Sequence, residues 1–169
     1  MARRECDVCT QTGSTYRDAH GKCPPSWRLL RRPGEAVMCG EDTTGHRFLE
    51  GFHPDAFQIS AQVVELLRKP SVPIGELGRD GSGERPVYPD RGVRLRAVCA
   101  LGKQDVDWTA LTPLLPGAEV IGASSDHLLV DVEDCGERGR PGDWVRFRCG
   151  YMAVMHAATS PYVKLSMIP

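Results

Sequence analysis

One stretch decides the fold class: Trp144-Val145-Arg146-Phe147-Arg148-Cys149. Its odd-numbered residues are two apolar side chains and a cysteine, and its even-numbered residues are a tryptophan and two arginines. Because successive side chains of a β-strand point to opposite faces, this strict alternation predicts a strand whose two faces carry these two sets.

Further strands are predicted at short spacing on the N-terminal side of this stretch. Residues 93–101 alternate, 118–123 form a short apolar run, and 127–132 give a clear strand pattern. Between them, Leu115-Pro116-Gly117 and residues 136–143 supply residues that tolerate tight turns. Short strands at this spacing predict a small β-barrel or sandwich.

The rest of the chain gives less uniform signals. Residues 56–68 read AFQISAQVVELLR, where β-branched residues favour a strand and two leucines allow a helix; we favour the strand. The apolar run within 32–40, bounded by glycines, predicts one buried strand. Residues 41–52 resemble a loop, and 152–159 are predicted to form a helix ended by Ser160-Pro161.

Length and composition limit the function classes. The chain has 169 residues, which fits one domain or one and a half small ones but not a complete (β/α)8 barrel of about 250 residues. Hydrophobic residues make up 41%, and the formal net charge is −1, so no global field attracts nucleic acid or acidic lipid. Since the sequence has no long apolar segment or secretory leader, we expect a cytoplasmic location without nucleic-acid or membrane partners.

The seven cysteines are odd in number and scattered, so we expect free thiols rather than a disulfide framework. Cys6 and Cys9 form a CxxC pair that Cys23 or His20 could complete as a zinc site. The irregular second pair favours coincidence. We therefore predict no metal site and keep a zinc module as the weaker alternative.

Two polar segments stand at predicted strand ends. Gly102-Lys103-Gln104-Asp105 follows the strand ending at Leu101, and Ser124-Ser125-Asp126-His127 precedes an apolar strand. Side chains at a strand end can converge on a ligand, but from the residues alone a plain turn is the favoured explanation of each segment. The sequence contains no phosphate-binding loop, GxGxxG motif or Ser-His-Asp elbow. From these patterns alone the chain is a β-rich domain.

Five segments together carry a resemblance to a known family, and they occur in the family's order. They are 30–36 (LRRPGEA), 69–76 (KPSVPIGE), 101–107 (LGKQDVD), 121–128 (IGASSDHL) and 159–163 (TSPYV). In this order they resemble the C-terminal part of the ornithine-racemase branch of the alanine-racemase-like enzymes, which use pyridoxal phosphate. Such a set is far more specific than any single motif.

The resemblance implies a mainly β fold: a C-terminal β-domain of the alanine-racemase type, preceded by a remnant of the end of a (β/α)8 barrel. Residues 1–27 would be poorly defined, 28–55 would be the last barrel strand and its loop, and 56–169 would be the β-domain. The implied function is racemisation of a small or basic amino acid, ornithine-like or alanine-like. In such enzymes the β-domain completes the partner subunit's active site, which implies a homodimer or a partner chain carrying the barrel.

The resemblance also implies a set of cofactor-binding residues. Arg32 would contact the pyridine nitrogen, where a guanidinium that cannot lose its proton would keep that nitrogen unprotonated. Gly34 and Glu35 would offer backbone amides to the phosphate, and Tyr151 would reach the same group. Ser14, in a segment that resembles the family's preceding turn more faintly, would also bind phosphate.

Two further residues are implied to act on the substrate. Asp126 would be a carboxylate that orients a cationic amine. Lys103 stands where alanine racemases carry a tyrosine base after the matching glycine, as a basic residue does in the ornithine branch. Racemisation needs one group to remove the α-proton and another to return a proton on the opposite face, so Lys103 is the candidate for one of them.

The second group is normally the lysine that binds the cofactor. The chain has four lysines, and Lys22, Lys69, Lys103 and Lys164 all lack the expected barrel-strand context. The sequence therefore predicts a truncated portion of a racemase without its cofactor lysine. The alternative, from a different class, is a non-catalytic β-domain that serves as a binding or dimerisation module.

Overall fold

A computed structural model gives the fold in two compact units that divide between Phe57 and Gln58. The sequence analysis drew its boundary between 55 and 56. Segment 1–27, including Ser14, and Arg32 lie outside the described residues. The structure describes residues 34–42, 47–75, 78, 83, 88–136 and 139–167.

The first unit contains a short helix where the sequence analysis predicted a strand. Helix α1 spans Gly34–Cys39, so the strand prediction within 32–40 is wrong for these residues. Glu35 lies in the first turn, where a negative charge is favourable, and Ala36 and Met38 are good helix formers. An apolar run this short cannot be assigned to helix or strand by periodicity. The helix propensity of its residues explains the observed structure.

A small hairpin follows α1. Gly40, with φ +65, ends the helix and donates its N–H to the carbonyl of Ala36 at 3.0 Å. Strands β1 (Glu41–Asp42) and β2 (Arg47–Phe48) then pair antiparallel. The prediction of a loop over 41–52 is therefore wrong at these four residues, which are too few to produce a sequence pattern.

The second unit is a nearly closed antiparallel barrel, which confirms the predicted mainly β fold. Its sheet order is β5-β8-β3-β4-β7-β6, and the edge strands β5 and β6 lie close together without a ladder among the described residues. The strands are β3 (Gln58–Pro70), β4 (Val93–Cys99), β5 (Leu111–Pro113), β6 (Glu119–Ala123), β7 (Leu128–Asp131) and β8 (Trp144–Cys149).

The core explains the alternation in the sequence. Val145, Phe147 and Cys149 of β8 are buried, whereas Trp144 is 64% exposed. Leu128 and Val130 of β7 reach the same interior and are completely buried. Each fully buried side chain of this size contributes roughly 1.5–3 kcal/mol, so the alternating residues supply much of the driving force for closing the barrel.

The long strand β3 joins the two halves of the barrel. Its first part, Gln58–Gln62, pairs with β8, and the part from Val63 to Pro70 pairs with β4. A register shift between Val63 and Glu65 bends the strand at the changeover. The predicted strand at 56–68 is therefore confirmed. Its β-branched residues, which favour a strand, indicated the structure correctly, and its leucines, which allow a helix, did not.

Strand β5 and a helix complete the unit. Strand β5 was not predicted, because three residues ending in Pro113 carry no period; its edge position tolerates the missing N–H of proline. Helix α2 spans Tyr151–Thr159, which confirms the predicted helix and begins one residue earlier. Neither α1 nor α2 has the length and apolar content to cross a membrane, and the described residues contain no other α-helix.

Candidate functional site

Two turns that the sequence analysis treated separately lie against each other. We call residues 102–105 and 124–127 the loop pair. The backbone N–H of Lys103 donates to the carbonyl of Ser124 at 2.9 Å, and that of Gln104 donates to the carbonyl of Ser125 at 3.1 Å. The ends of two neighbouring strands, β4 and β7, thus present Lys103 and Asp126 on hydrogen-bonded turns.

Gly102 makes this close approach possible. A Cβ atom at this position would lie 2.0 Å from the carbonyl oxygen of Ser125 and 2.4 Å from the backbone nitrogen of Asp126. Both neighbours are backbone atoms, so they cannot rotate away as a side chain would. Glycine is required at residue 102 by contact rather than by its own backbone angles, and the contact links the two turns.

The functional side chains of the loop pair differ in their partners. The Asp126 carboxylate accepts a hydrogen bond at Oδ1 from the Gln104 side-chain amide at 2.8 Å. Lys103 is exposed, and within the described part of the chain its ammonium forms no ion pair with a carboxylate. The loop pair therefore holds an oriented carboxylate and an unneutralised amine at one end of the barrel.

A buried carboxylate links the turn at residues 102–105 to helix α2. Asp105 is 6% exposed and accepts a hydrogen bond from the Ser160 hydroxyl at 2.7 Å, at the end of α2. The other end of α2 is held by the N–H of Gly150, which donates to the carbonyl of Ala110 at 2.8 Å. Tyr151, the first residue of α2, is half-buried. Sequence reasoning placed Asp105 in a turn and Ser160 at a helix end, but it did not predict the hydrogen bond between them.

The predicted phosphate contacts Gly34 and Glu35 lie at the start of α1 in the first unit, whereas Tyr151 and the loop pair belong to the second. The first N–H groups of a helix have no intrahelical acceptors, so the backbone of Gly34 and Glu35 stays a candidate phosphate contact. The ring contact Arg32 and the phosphate contact Ser14 lie outside the described residues.

The described lysines lack the structural context that the resemblance implies for a cofactor lysine. Lys69 pairs with Glu65 on β3, Lys103 lies in the loop pair, and Lys164 is exposed near the C-terminus. None of these three stands on a strand of a parallel (β/α)8 barrel. Among the described residues, Gly34, Glu35 and Tyr151 therefore remain candidate cofactor contacts, and no described lysine has the context of a cofactor lysine.

The opposite end of β4 carries a different kind of polar cluster. Arg94 donates to both carboxylate oxygens of Asp131, at 2.9 and 3.1 Å, and also pairs with Asp134. Burial raises the pKa of Asp131, but the hydrogen bonds from Arg94 and the Glu133 N–H and the charges of Arg94 and Arg96 outweigh it. The pKa of Asp131 is therefore below its ordinary value, and the carboxylate stays ionised.

The described cysteines are buried rather than exposed to reagents. Cys39, Cys99, Cys135 and Cys149 are all buried, and none of them forms a disulfide. Burial raises the pKa of Cys99 to about 11. The candidate zinc ligands Cys6, Cys9, His20 and Cys23 lie outside the described residues, and among the residues that are described no group of three metal-binding side chains comes together.

Comparison with known proteins gives two clear relatives. The chain is 40% identical over 157 residues to the ornithine racemase of Acetoanaerobium sticklandii, covering 93% of this chain and 44% of that protein. It is 42% identical over 153 residues to the lysine racemase of Thermotoga maritima, covering 90% of this chain and 43% of that protein. The chain thus spans less than half the length of these curated relatives.

Other comparisons are more distant. No protein-family model matches the chain. The solved alanine racemase from Acinetobacter baumannii aligns with 60% of this chain and 29% of its own, at 18% identity and a TM-score of 0.37. The similarity to ornithine and lysine racemase, over about nine tenths of the chain, confirms the resemblance seen in the sequence. The chain therefore matches the C-terminal part of an ornithine-racemase-like protein.

Proposed function

We propose that this chain supplies the β-domain side of the active site in a pyridoxal-phosphate-dependent racemase for a small or basic amino acid, ornithine-like or alanine-like. The observation that carries the proposal is the loop pair, in which the close approach at Gly102 brings the turns of Lys103 and Asp126 together. The names of the two relatives support a substrate with a second amine.

Lys103 is the proposed proton carrier. Its neutral amine would accept the α-proton as the bond between the α-carbon and hydrogen breaks, and its ammonium form would return a proton to the same face. The electron pair left on the α-carbon requires the delocalisation that pyridoxal phosphate supplies when bound. Since Lys103 is exposed and unpaired among the described residues, its amine is available for this role.

Asp126 is the proposed substrate-orienting group. Its Oδ1 is held by Gln104 at 2.8 Å, which fixes the carboxylate plane relative to the turn that carries Lys103. An ionised carboxylate attracts the ammonium group of an amino acid, and a charge-assisted hydrogen bond gives that attraction a direction. Lys103 would thus transfer the proton, and Asp126 would orient the substrate.

The remaining parts would come from elsewhere in the assembly. We assign the cofactor lysine and most of the cofactor site to a barrel carried by a second copy of a longer form or by a partner chain. Ser14, Arg32, Gly34, Glu35 and Tyr151 remain the proposed cofactor contacts of this chain. This chain alone is expected to show little racemase activity.

A chimera tests the proposal without requiring the partner to be identified. This chain would replace the matching 44% of the Acetoanaerobium sticklandii ornithine racemase, and D-ornithine formation from L-ornithine would be followed by chiral chromatography. We expect an active chimera in which Lys103→Met lowers kcat/KM by about a hundredfold or more, the range for a general acid–base group. Asp126→Asn should mainly raise KM.

The matched control is Lys164→Met, which removes an exposed lysine outside the loop pair. It should leave kcat/KM within about twofold of the chimera, since it touches neither proton transfer nor substrate binding. A chimera that shows cofactor absorbance but loses no activity with Lys103→Met would overturn the role of Lys103. Retained absorbance in the variants shows that a lost rate is not lost folding.

The alternative function, a dimerisation module, is favoured by one exposed apolar surface. Trp144 is 64% exposed and pairs in register with Gln62 of β3, and Val64, further along β3, is 46% exposed. Neighbouring exposed apolar side chains of this size are typical of interfaces. If the chain is a dimerisation module, light scattering should show that Trp144→Lys converts an oligomer to a monomer. The chimera should then show no racemase activity.

A further inference from the structure

An open groove of about 480 Å³ runs over the outer face of the barrel in the second unit. Its lining includes Val120 to Ala123 of β6 and the aromatic residues Tyr88 and Trp108. Its volume falls within the usual range for small-molecule sites. Aliphatic and aromatic lining of this kind suits a ligand with an apolar body.

Arg96 is the distinctive polar group of the groove. Its Nε is shut away from solvent and has no acceptor among the described residues, and its Nη2 donates to the carbonyl of Ser71 at 3.2 Å. Arg96 is half-buried, and its guanidinium has five donor hydrogens but one acceptor among the described residues. A partly desolvated guanidinium in this state favours an anionic acceptor.

The other charges of the groove are already matched. Arg91 pairs with Glu119, and Asp131, which also lines the groove, accepts two hydrogen bonds from Arg94 and is near enough to Arg96 for that positive charge to lower the pKa of Asp131. Arg96 and Lys103 form no ion pair within the described residues. Three cations and two carboxylates line the groove, so its lining has a net charge of +1.

We propose that this groove binds small organic carboxylates, with Arg96 as the anchoring cation and the apolar body of the ligand against β6. A planar guanidinium matches a carboxylate better than an ammonium does, and the apolar walls favour an organic anion over an inorganic one. The groove shares Lys103 with the proposed function, but the binding proposed here goes beyond that function because it requires neither the cofactor nor racemisation.

The test is a titration of the ¹⁵N-labelled 169-residue chain with sodium pentanoate, followed by amide and indole chemical shifts. Pentanoate should shift the resonances of Arg96, β6 and the Trp108 indole in a saturable way. Butylammonium chloride, with a similar apolar body but no carboxylate, and inorganic phosphate should each bind at least about tenfold more weakly, since each lacks one of the two matched features.

Arg96→Gln should weaken pentanoate binding by about tenfold or more, as expected for loss of a charge-assisted hydrogen bond. Arg146→Gln is the matched control, because it removes an exposed arginine of β8 that does not line the groove. Gly122→Leu gives an independent test: Gly122 lines the groove and has open space around it, so leucine should block binding while Arg96 stays intact.

Three outcomes would overturn the proposal: no saturable shifts with pentanoate, equal shifts with butylammonium, or unchanged binding in both Arg96→Gln and Gly122→Leu. Were Arg96→Gln to unfold, Gly122→Leu would still decide between a groove site and diffuse surface binding. Pentanoate binding with an inactive chimera would leave this inference standing and the proposed racemase function refuted, so the two failures are distinguishable.

Discussion

The start of β4 and the turn beyond its end use positive charge in opposite ways. At the start, Arg94 is bound by Asp131 and Asp134, and its side chain is largely buried. Beyond the end, Lys103 is exposed and forms no ion pair within the described residues. One cation holds neighbouring strands together, and the other is left available to a ligand.

The difference lies in what orients each group. Arg94 is positioned by its own charge partners, so removing the charge removes the structure that it supports. Lys103 is positioned by backbone contacts at Gly102 and by the buried Asp105, so its charge can be removed while the turn stays intact. A side chain whose geometry does not depend on its own charge is suited to gaining and losing a proton.

The largest expected effect comes from breaking the contact within the loop pair. Gly102→Ala would place a Cβ 2.0 Å from the Ser125 carbonyl oxygen, so the two turns must separate. We expect a loss of roughly 2–4 kcal/mol in the free energy of unfolding, as for severe overpacking. Urea denaturation measures this change in the free energy of unfolding. Gly136→Ala, where a Cβ meets nothing within 4 Å, is the control and should cost less than about 1 kcal/mol.

The second prediction concerns the charged end of β4 and its pH dependence. The folded pKa of Asp131 is below its unfolded value, so its ionisation stabilises the fold above pH 3.8 and this contribution is lost as the pH falls through the folded pKa. Arg94→Gln should therefore destabilise the protein strongly at neutral pH and progressively less in acid. Denaturant unfolding at a series of pH values measures the difference; a constant difference would contradict the assignment.

The smallest of these effects is expected where α2 meets the loop pair. Ser160→Ala removes the hydroxyl that donates to the buried Asp105 at 2.7 Å. The free energy of unfolding should fall by about 1–2 kcal/mol, which is typical of the loss of one hydrogen bond to a charged group. Thermal unfolding against Ser166→Ala, an exposed serine near the C-terminus, provides the measurement and its control. An equal change in both variants would show that Asp105 is held by other groups.

The regular elements and the loop pair differ in how far the sequence predicts them. The alternation of β8 separated the two sets of side chains on its faces, and the pattern of β7 identified it as a strand, because each depends on neighbours within a few residues. Helix α1 was assigned wrongly, since six residues give propensity but no reliable period.

The loop pair could not be read from local patterns. Gly102 and Ser125 meet only because β4 and β7 pair in one particular register, with Cys99 opposite Leu128. Family resemblance pointed to Lys103 and Asp126, but it did not identify Gly102, Gln104 or the Asp105–Ser160 hydrogen bond as the groups that hold them. Those contacts join residues far apart in the chain.

The most direct test of the central claim, that Lys103 carries a proton to one face of the substrate, is solvent deuterium exchange in the ornithine-racemase chimera. In deuterated water, Lys103→Met should exchange the α-hydrogen of one ornithine enantiomer without inverting it, because only one of the two proton-transfer groups remains. Exchange and inversion of both enantiomers at the unsubstituted rate would contradict the claim.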